Sequence, residues 1–215
     1  MRKNKSILVT GGCGFVGTNL CLYLKKNLKK YSIYSIDNLK RNYSNYNYKI
    51  LKENKIKNYK IDITSNEFLK LKKSFNIIID CAADPAVEIS KKKTKDVFNN
   101  NLKSTFHILE KARKDSSKLI YLSSSRVYPI SECNKKFLKT FNAKFDENTN
   151  VNGVKSIYGY TKYSSELLIE EYSYIFGLKY LINRVGILTG PLQFGKVEQG
   201  LISLWIWKHY KKLNL

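Results

Sequence analysis

The chain has 215 residues, 43% hydrophobic and 13% aromatic, with 39 Lys plus Arg against 17 Asp plus Glu and a formal charge of +22. With 11 Gly and 3 Pro it is neither disordered nor low-complexity, and it has the length and apolar content of one good-sized domain or two small ones. The charge invites a nucleic-acid or membrane-surface partner, but only Arg2, Arg41, Arg113, Arg126 and Arg184 are Arg, and the 34 Lys are spread along the whole chain beside abundant Asn, Ile and Tyr, so the excess reads as compositional drift over a solvated surface.

The first apolar run, Ser6–Val9, predicts a strand. The basic stretch before it resembles a leader, but the run ends at once in glycines and is too short for a signal peptide. It leads into Thr10-Gly11-Gly12-Cys13-Gly14-Phe15-Val16-Gly17, which satisfies G-x-G-x-x-G through Gly12, Gly14 and Gly17, and the looser G-x-x-G-x-x-G through Gly11, Gly14 and Gly17. A helix over Thr18–Lys30 follows, with Leu20, Cys21, Leu24 and Leu28 on one face. Glycines let the backbone approach a pyrophosphate, and the helix then points its free N–H groups and positive dipole end at the anion. The next strand, Ile33–Ile36, is followed by Asp37, twenty residues beyond Gly17. A carboxylate there accepts hydrogen bonds from an adenosine ribose diol and repels a 2′-phosphate, which points to NAD, although Lys40 and Arg41 nearby keep NADP open.

Strands are expected at Tyr59–Ile61 and Ile77–Asp80, then a helix over Asp96–Lys114 with Phe98, Leu102, Thr105, Leu109 and Ala112 inward. Strand Leu119–Leu122 ends in Ser123-Ser124-Ser125, where ligands of open α/β sheets bind. Glu132–Ser156 has neither period and is expected to be a long loop. Tyr158-Gly159-Tyr160-Thr161-Lys162 opens a helix running to Phe176, with Leu167, Leu168, Tyr172 and Ile175 on its apolar face; strand Leu178–Val185 and a helix around Leu201–Lys211 complete the chain. Tyr158 and Lys162, at i and i+4, share a helix face, and an ammonium beside a phenol favours the phenolate. The pattern alone carries little in a chain with 16 Tyr and 34 Lys, and Tyr48 with Lys52 repeats it; position beside the strand-end serines is what distinguishes Tyr158. Strands alternating with helices predict an α/β fold of Rossmann type, a doubly wound parallel sheet with helices on both faces. The four Cys have no metal-ligand spacing, there are two His, and no apolar run reaches membrane-spanning length, so neither a metal site nor a membrane partner is expected, and a reducing, cytoplasmic setting is.

Together these residues resemble the extended short-chain dehydrogenase/reductase family of NAD-dependent sugar-nucleotide epimerases and dehydratases, from Ile7 to about Tyr210. Asp62-Ile63 is similar to the family's adenine contact, Ala82-Ala83 to its stretch beside the cofactor ribose, and Asn101-Leu102-Lys103-Ser104-Thr105 to its N-x-x-G-T with Ser104 replacing the glycine. Ser124, four residues before Tyr128, matches the catalytic Ser/Thr. The resemblance implies cofactor contacts at Gly11, Gly14, Phe15, Val16, Gly17, Asp37, Asn38, Asp62, Ile63, Ala82, Ala83, Asn101, Tyr158 and Lys162, catalysis by Ser124, Tyr158 and Lys162, and substrate contacts at Pro85, Ser124, Ser125, Arg126 and Gln193. Ser125-Arg126 stand where the 4,6-dehydratases of the family place Asp-Glu. The stretch Ile182–Val197 is most similar to the CDP-paratose 2-epimerases of the family, with Ile187 where many epimerases carry Asn.

What the resemblance implies is a homodimeric epimerase acting on a nucleotide sugar; from the spread of the Lys and the short apolar runs, neither nucleic acid nor a membrane is expected as a partner. His107 is expected to be an ordinary helix residue, and Cys13 and Cys81 to be small packing residues. Family members continue past the point matching Leu215, so residues 1–215 are expected to form the NAD-binding domain with the C-terminal substrate domain largely absent. The alternatives are a cofactor-binding fragment or regulatory module without turnover and, ranked below it, a nucleotide-sugar dehydratase or reductase or a basic nucleic-acid binder.

Overall fold

The computed structural model describes residues 5–84, 94–139, 145–195 and 200–213. Six strands form one sheet: β1 (Lys5–Thr10), β2 (Tyr31–Ile36), β3 (Lys57–Tyr59), β4 (Ile77–Asp80), β5 (Lys118–Ser124) and β6 (Tyr180–Val185), in the order β3-β2-β1-β4-β5-β6. Every pairing is parallel, with Ile7 opposite both Ile33 and Ile77, and Ile78 opposite Leu119. Parallel neighbours need crossovers that place helices on both faces, which is why Ile7-Leu8-Val9 is apolar throughout instead of alternating. Leu8, Ile78, Leu119 and Tyr121 pack on one side with Ile108, Leu109, Ala112 and Ile169, while Ile7, Val9 and Ile79 pack on the other with Cys21 and Leu51.

The helices are α1 (Phe15–Asn27), α2 (Ser44–Glu53), α3 (Asn66–Leu69), α4 (Thr94–Phe98), α5 (Ser104–Asp115), α6 (Ile130–Lys139), α7 (Ile157–Phe176) and α8 (Leu201–Tyr210). Three differ from expectation. The helix read over Asp96–Lys114 is broken by a π-helical turn at Asn99–Lys103, which separates α4 from α5 and leaves Phe98 exposed while Thr105, Leu109 and Ala112 are buried. The segment expected to be loop from Glu132 contains α6, whose first turn closes when Cys133 N–H donates to the Pro129 carbonyl at 3.1 Å. On α7 the buried stripe is Tyr158, Lys162, Ser165, Glu166 and Ile169, and Leu167 and Ile175 lie outward. Helix α2 is an addition; it enters through Tyr43 at φ 69°, a left-handed backbone that hides its start from a periodicity reading. Among the described residues no helix is long and apolar enough to cross a membrane.

Strand order reverses between β1 and β4, so the carboxyl ends at Thr10 and Asp80 border the crevice where such sheets bind ligands. One buried pair fastens α5 beneath this crevice. Lys111 donates to Asp115 at 2.7 Å and to the Lys73 carbonyl at 2.8 Å, and Asp115 in turn accepts from Phe75 N–H at 3.1 Å. Both side chains are closed from solvent, at 1% and 2% exposure. Lys111→Met leaves Asp115 buried without its counter-charge and is expected to cost about 3–5 kcal/mol, read as a lower urea unfolding midpoint.

Candidate functional site

Helix α1 begins at Gly14 in extended backbone, with no side-chain cap and no acidic residue in its first turn. Its leading N–H groups therefore face the crevice with no side chain of the protein competing for them, and the helix dipole adds to their pull on an anion. The turn is held tight by the approach of Gly17, where a Cβ would fall 2.2 Å from the Gly11 carbonyl oxygen. Thr18 Oγ1 braces it at 2.7 Å from Gly14 O and 3.0 Å from Gly12 O. Phe15 and Val16 are half-buried in the first turn of α1. A bare turn, free donors and the lack of an acidic residue in the first turn of α1 fit a dinucleotide pyrophosphate.

Asp37 closes the other side of the turn. Its Oδ2 accepts from Cys13 N–H at 3.1 Å and its Oδ1 from Leu39 N–H at 2.8 Å, which fixes the carboxylate and leaves each oxygen a further lone pair. Burial pushes the Asp37 carboxyl up, against the pull of these two N–H groups and of Arg41. The two cations that kept a 2′-phosphate open are engaged elsewhere. Lys40 pairs with Asp62 at 2.7 Å, and Arg41 donates to the Ala83 carbonyl at 3.0 Å and to Asp84 at 3.3 Å. Asp62 also accepts from Asn38 Nδ2 at 3.0 Å and from Thr64. Burial raises the Asp62 carboxyl, but the combined hydrogen bonds from Lys40, Thr64 and Asn38 outweigh it and hold the group well below the usual carboxylate range. A fixed carboxylate acceptor beside cations that are already paired suits a free ribose diol, hence NAD.

Ile63 turns its side chain into the core, and its carbonyl lies 2.8 Å from His107 Nδ1, so His107 is a packed helix residue. Ala82 N–H donates to Asp80 Oδ1 at 3.1 Å, and Ala82 and Ala83 are half-buried at the end of β4. Asn101, inside the π-helical turn, accepts from Asp84 N–H at 2.7 Å and donates to Thr161 at 3.1 Å, stapling the loop after β4 to α7. Pro85 lies outside the described residues. The thiols behave as packing groups: burial and neighbouring Asp37 push Cys13 up, burial pushes Cys21 up to about 12, and burial with Asp80 pushes Cys81 up. Among the described residues no cluster of His, Cys, Asp and Glu could hold a metal ion.

The catalytic candidates converge at the end of β5. The chain leaves the strand through a 3-10 turn, Ser125–Val127, capped by Ser124 Oγ accepting from Arg126 N–H at 3.2 Å. Helix α7 starts against this turn, and it can do so because Gly159 has no side chain: a Cβ there would sit 2.2 Å from the Arg126 carbonyl oxygen. That approach sets Tyr158 beside the Ser124 strand end. Lys162, 2% exposed, donates to the Leu122 carbonyl at 2.7 Å and lies 4.4 Å from the centre of the Tyr121 ring. Tyr48 and Lys52 stand on α2, beside the other layer of the core. Ser125 and Arg126 are exposed at the mouth of the crevice. Gln193 lines the same cavity as Gly14, Phe15 and Arg41, and is held by Ser203, which donates to its Oε1 at 2.7 Å. Stacking of Tyr43 on Phe194, with centroids 4.4 Å apart, walls the cavity on its outer side.

Two groups were missed in the sequence. Ser123 Oγ donates to buried Glu166, which also binds Arg184 bidentately, Nη2 to Oε2 at 2.7 Å and Nε to Oε1 at 3.2 Å. The available clue was Arg184 itself, an Arg in a chain whose basic residues are nearly all Lys, at a place that needs a planar fork. Asp80 is the other, a fully buried carboxylate at a strand end.

Comparison with known proteins matches residues 7–215 to the NAD dependent epimerase/dehydratase family. A dTDP-D-glucose 4,6-dehydratase of Dictyostelium discoideum is 32% identical over 198 residues, covering 88% of this chain and 45% of that protein. A putative UDP-glucose 4-epimerase of Methanocaldococcus jannaschii is 34% identical over 209 residues, covering 95% of this chain and 63% of that one. Among solved structures, UDP-glucuronic acid 4-epimerase from Bacillus cereus in complex with UDP-glucuronic acid and NAD superposes with a TM-score of 0.81 at 27% identity, covering 98% of this chain and 64% of its own. The chain thus spans about half to two-thirds of the length of the proteins it matches.

Because Asp37 is fixed by two backbone donors and the neighbouring cations are engaged, Asp37→Ala is expected to weaken NAD binding about 10- to 100-fold and to narrow its preference over NADP, both read by calorimetric titration.

Proposed function

The chain belongs to the NAD-dependent epimerase/dehydratase family, and from that premise we propose that it serves a nucleotide-sugar epimerase that oxidises one sugar carbon to a ketone and re-reduces it on the opposite face. The observation that carries this reading is the convergence of Ser124, Tyr158 and Lys162 at the end of β5, next to the bare turn before α1. Bound NAD would supply the hydride acceptor and return the hydride, leaving no net redox change. Tyr158 takes the proton of the sugar hydroxyl as its carbon is oxidised and gives it back when the ketone is reduced. Ser124 orients that oxygen, and Lys162 favours the phenolate and holds the nicotinamide ribose. Gly11, Gly14, Phe15, Val16 and Gly17 cradle the pyrophosphate, Asp37 and Asn38 the adenosine ribose, Asp62 and Ile63 the adenine, and Ala82, Ala83 and Asn101 line the rest of the cofactor.

The substrate we propose is a CDP- or UDP-hexose, with the nearest specificity that of the CDP-paratose 2-epimerases, supported by Gly190-Pro191-Leu192-Gln193-Phe194-Gly195. Pro85, Ser125, Arg126 and Gln193 contact it in this reading. Epimerisation is favoured over dehydration because Ser125 and Arg126 follow Ser124, so no carboxyl group adjoins it to protonate a departing hydroxyl. A homodimer through α4, α5 and α7 belongs to the same reading, supported by Phe98, Phe106, Leu167 and Tyr174, large apolar side chains that these helices leave exposed.

The test is conversion of CDP- and UDP-hexoses followed by NMR in deuterated water. The expected outcome is one inverted carbon that carries no solvent deuterium, because the hydride returns to the carbon it left. A 4-keto-6-deoxy sugar would replace epimerisation by dehydration, and bound NAD without conversion would leave a cofactor-binding module. Tyr158→Phe is expected to lower turnover at least about 1000-fold while NAD still binds.

A further inference from the structure

Lys162 and Asp80 are both buried, and each lacks the partner its charge requires. Lys162 is 2% exposed, and its ammonium donates to a neutral acceptor, the Leu122 carbonyl, at 2.7 Å. Asp80 is fully buried at the end of β4, where Oδ1 accepts from Thr10 Oγ1 at 2.6 Å and from Ala82 N–H at 3.1 Å. Its Oδ2, equally buried, has no hydrogen-bond partner among the described residues, and neither has the hydroxyl of Tyr121. Leaving a buried ammonium without counter-charge and a buried carboxylate oxygen without a donor are separately costly.

The sheet brings the two together. Asp80 and Tyr121 are register partners on β4 and β5, so their side chains rise from the same face, the one covered by α7. Adjacent strands lie about 4.8 Å apart, and Lys162 Nζ sits 4.4 Å from the Tyr121 ring centre. Asp80 and Lys162 thus both neighbour Tyr121 in the buried layer under α7, with their charged atoms more than 4 Å apart. Burial pushes the Asp80 carboxyl up, and Lys162 is the strongest influence in the opposite direction.

We propose that Asp80 is a positioning residue: its unused Oδ2 is the buried counter-charge that holds the Lys162 ammonium in place beneath Tyr158. Asp80 touches neither substrate nor cofactor; it acts through Lys162. The role rests on the epimerase reading for its catalytic consequence, and on the geometry of β4, β5 and α7 for the pairing itself. Thr10 and Ala82 keep Asp80 Oδ1 occupied, which turns Oδ2 into the oxygen free to serve Lys162.

A double-mutant cycle tests it, using Asp80→Asn, Lys162→Met and the double variant, with NAD affinity measured by calorimetry and turnover of the active nucleotide sugar split into kcat and KM. Asn preserves the shape of Asp80 and its Oδ1 acceptor while removing the charge. In the parent background Asp80→Asn is expected to lower kcat about tenfold with KM within about twofold, and to weaken NAD several-fold. In the Lys162→Met background it is expected to change neither quantity. A loss of the same size in both backgrounds, or no loss in the parent, overturns the pairing. If the parent turns over no nucleotide sugar, the epimerase reading fails, and the NAD cycle alone decides on Asp80. Should Asp80→Asn not fold, Asp80→Ser, which retains an oxygen for Thr10, runs the same cycle.

Discussion

Glu166 is where α7, β5 and β6 are tied together beside the candidate site. One carboxylate, on α7, takes the Ser123 hydroxyl from β5 and both arms of the Arg184 guanidinium from β6. A carboxylate buried to this depth is tolerable only when its lone pairs are filled and its charge matched, and the bidentate fork of Arg184 does both while Glu166 pushes the guanidinium up. Arg184 also lies over the Tyr128 ring, so the strand-end turn is gripped from the same point. Helix α7 can therefore sit in one register on the sheet, which delivers Tyr158 and Lys162, two and one turns before Glu166, to the end of β5, where Lys162 Nζ donates to the Leu122 carbonyl.

The cofactor half follows a different logic. There the backbone does most of the work, through a bare helix start and a turn whose tightness depends on the missing side chain of Gly17. Side chains mainly decide which dinucleotide fits, and they do so through pairing: Asp37 is held by backbone N–H groups, while Lys40 and Arg41 are drawn away to Asp62 and Asp84. The large positive charge of the chain is thus not concentrated on the anion site. The basic side chains closest to it are neutralised locally, which agrees with reading most of the Lys as solvated surface.

The central strands β1 and β4 are legible because parallel strands buried on both faces show unbroken apolar runs, whereas the edge strand β3, Lys57–Tyr59, is polar and starts two residues before the expected Tyr59–Ile61. The glycine turn and Asp37 were legible because their spacing is fixed by one strand, one turn and one helix. Helix α7 is located by its period, and of its expected apolar face Leu168 and Tyr172 pack against the core while Leu167 and Ile175 do not. Its buried stripe is mostly polar, Tyr158, Lys162, Ser165 and Glu166, because that face closes the site, whereas Leu167 and Ile175 point outward. The π-helical turn at Asn99–Lys103 escaped for a related reason: it aims Asn101 at Asp84 and Thr161, partners 17 and 60 residues away.

The sequence by itself determined the α/β class and the dinucleotide turn with its acidic partner, since these depend on local spacing along one strand, one turn and one helix; it also pointed to Ser124, Tyr158 and Lys162 as candidates. Tertiary structure decided which charged groups are buried and with whom. Glu166, Arg184, Lys111 and Asp115 resemble ordinary surface charges in the sequence, and Asp80 resembles a polar strand end. The energy of a charge depends on solvent exclusion and on partners brought from distant segments, and neither quantity is written in the local pattern of residues.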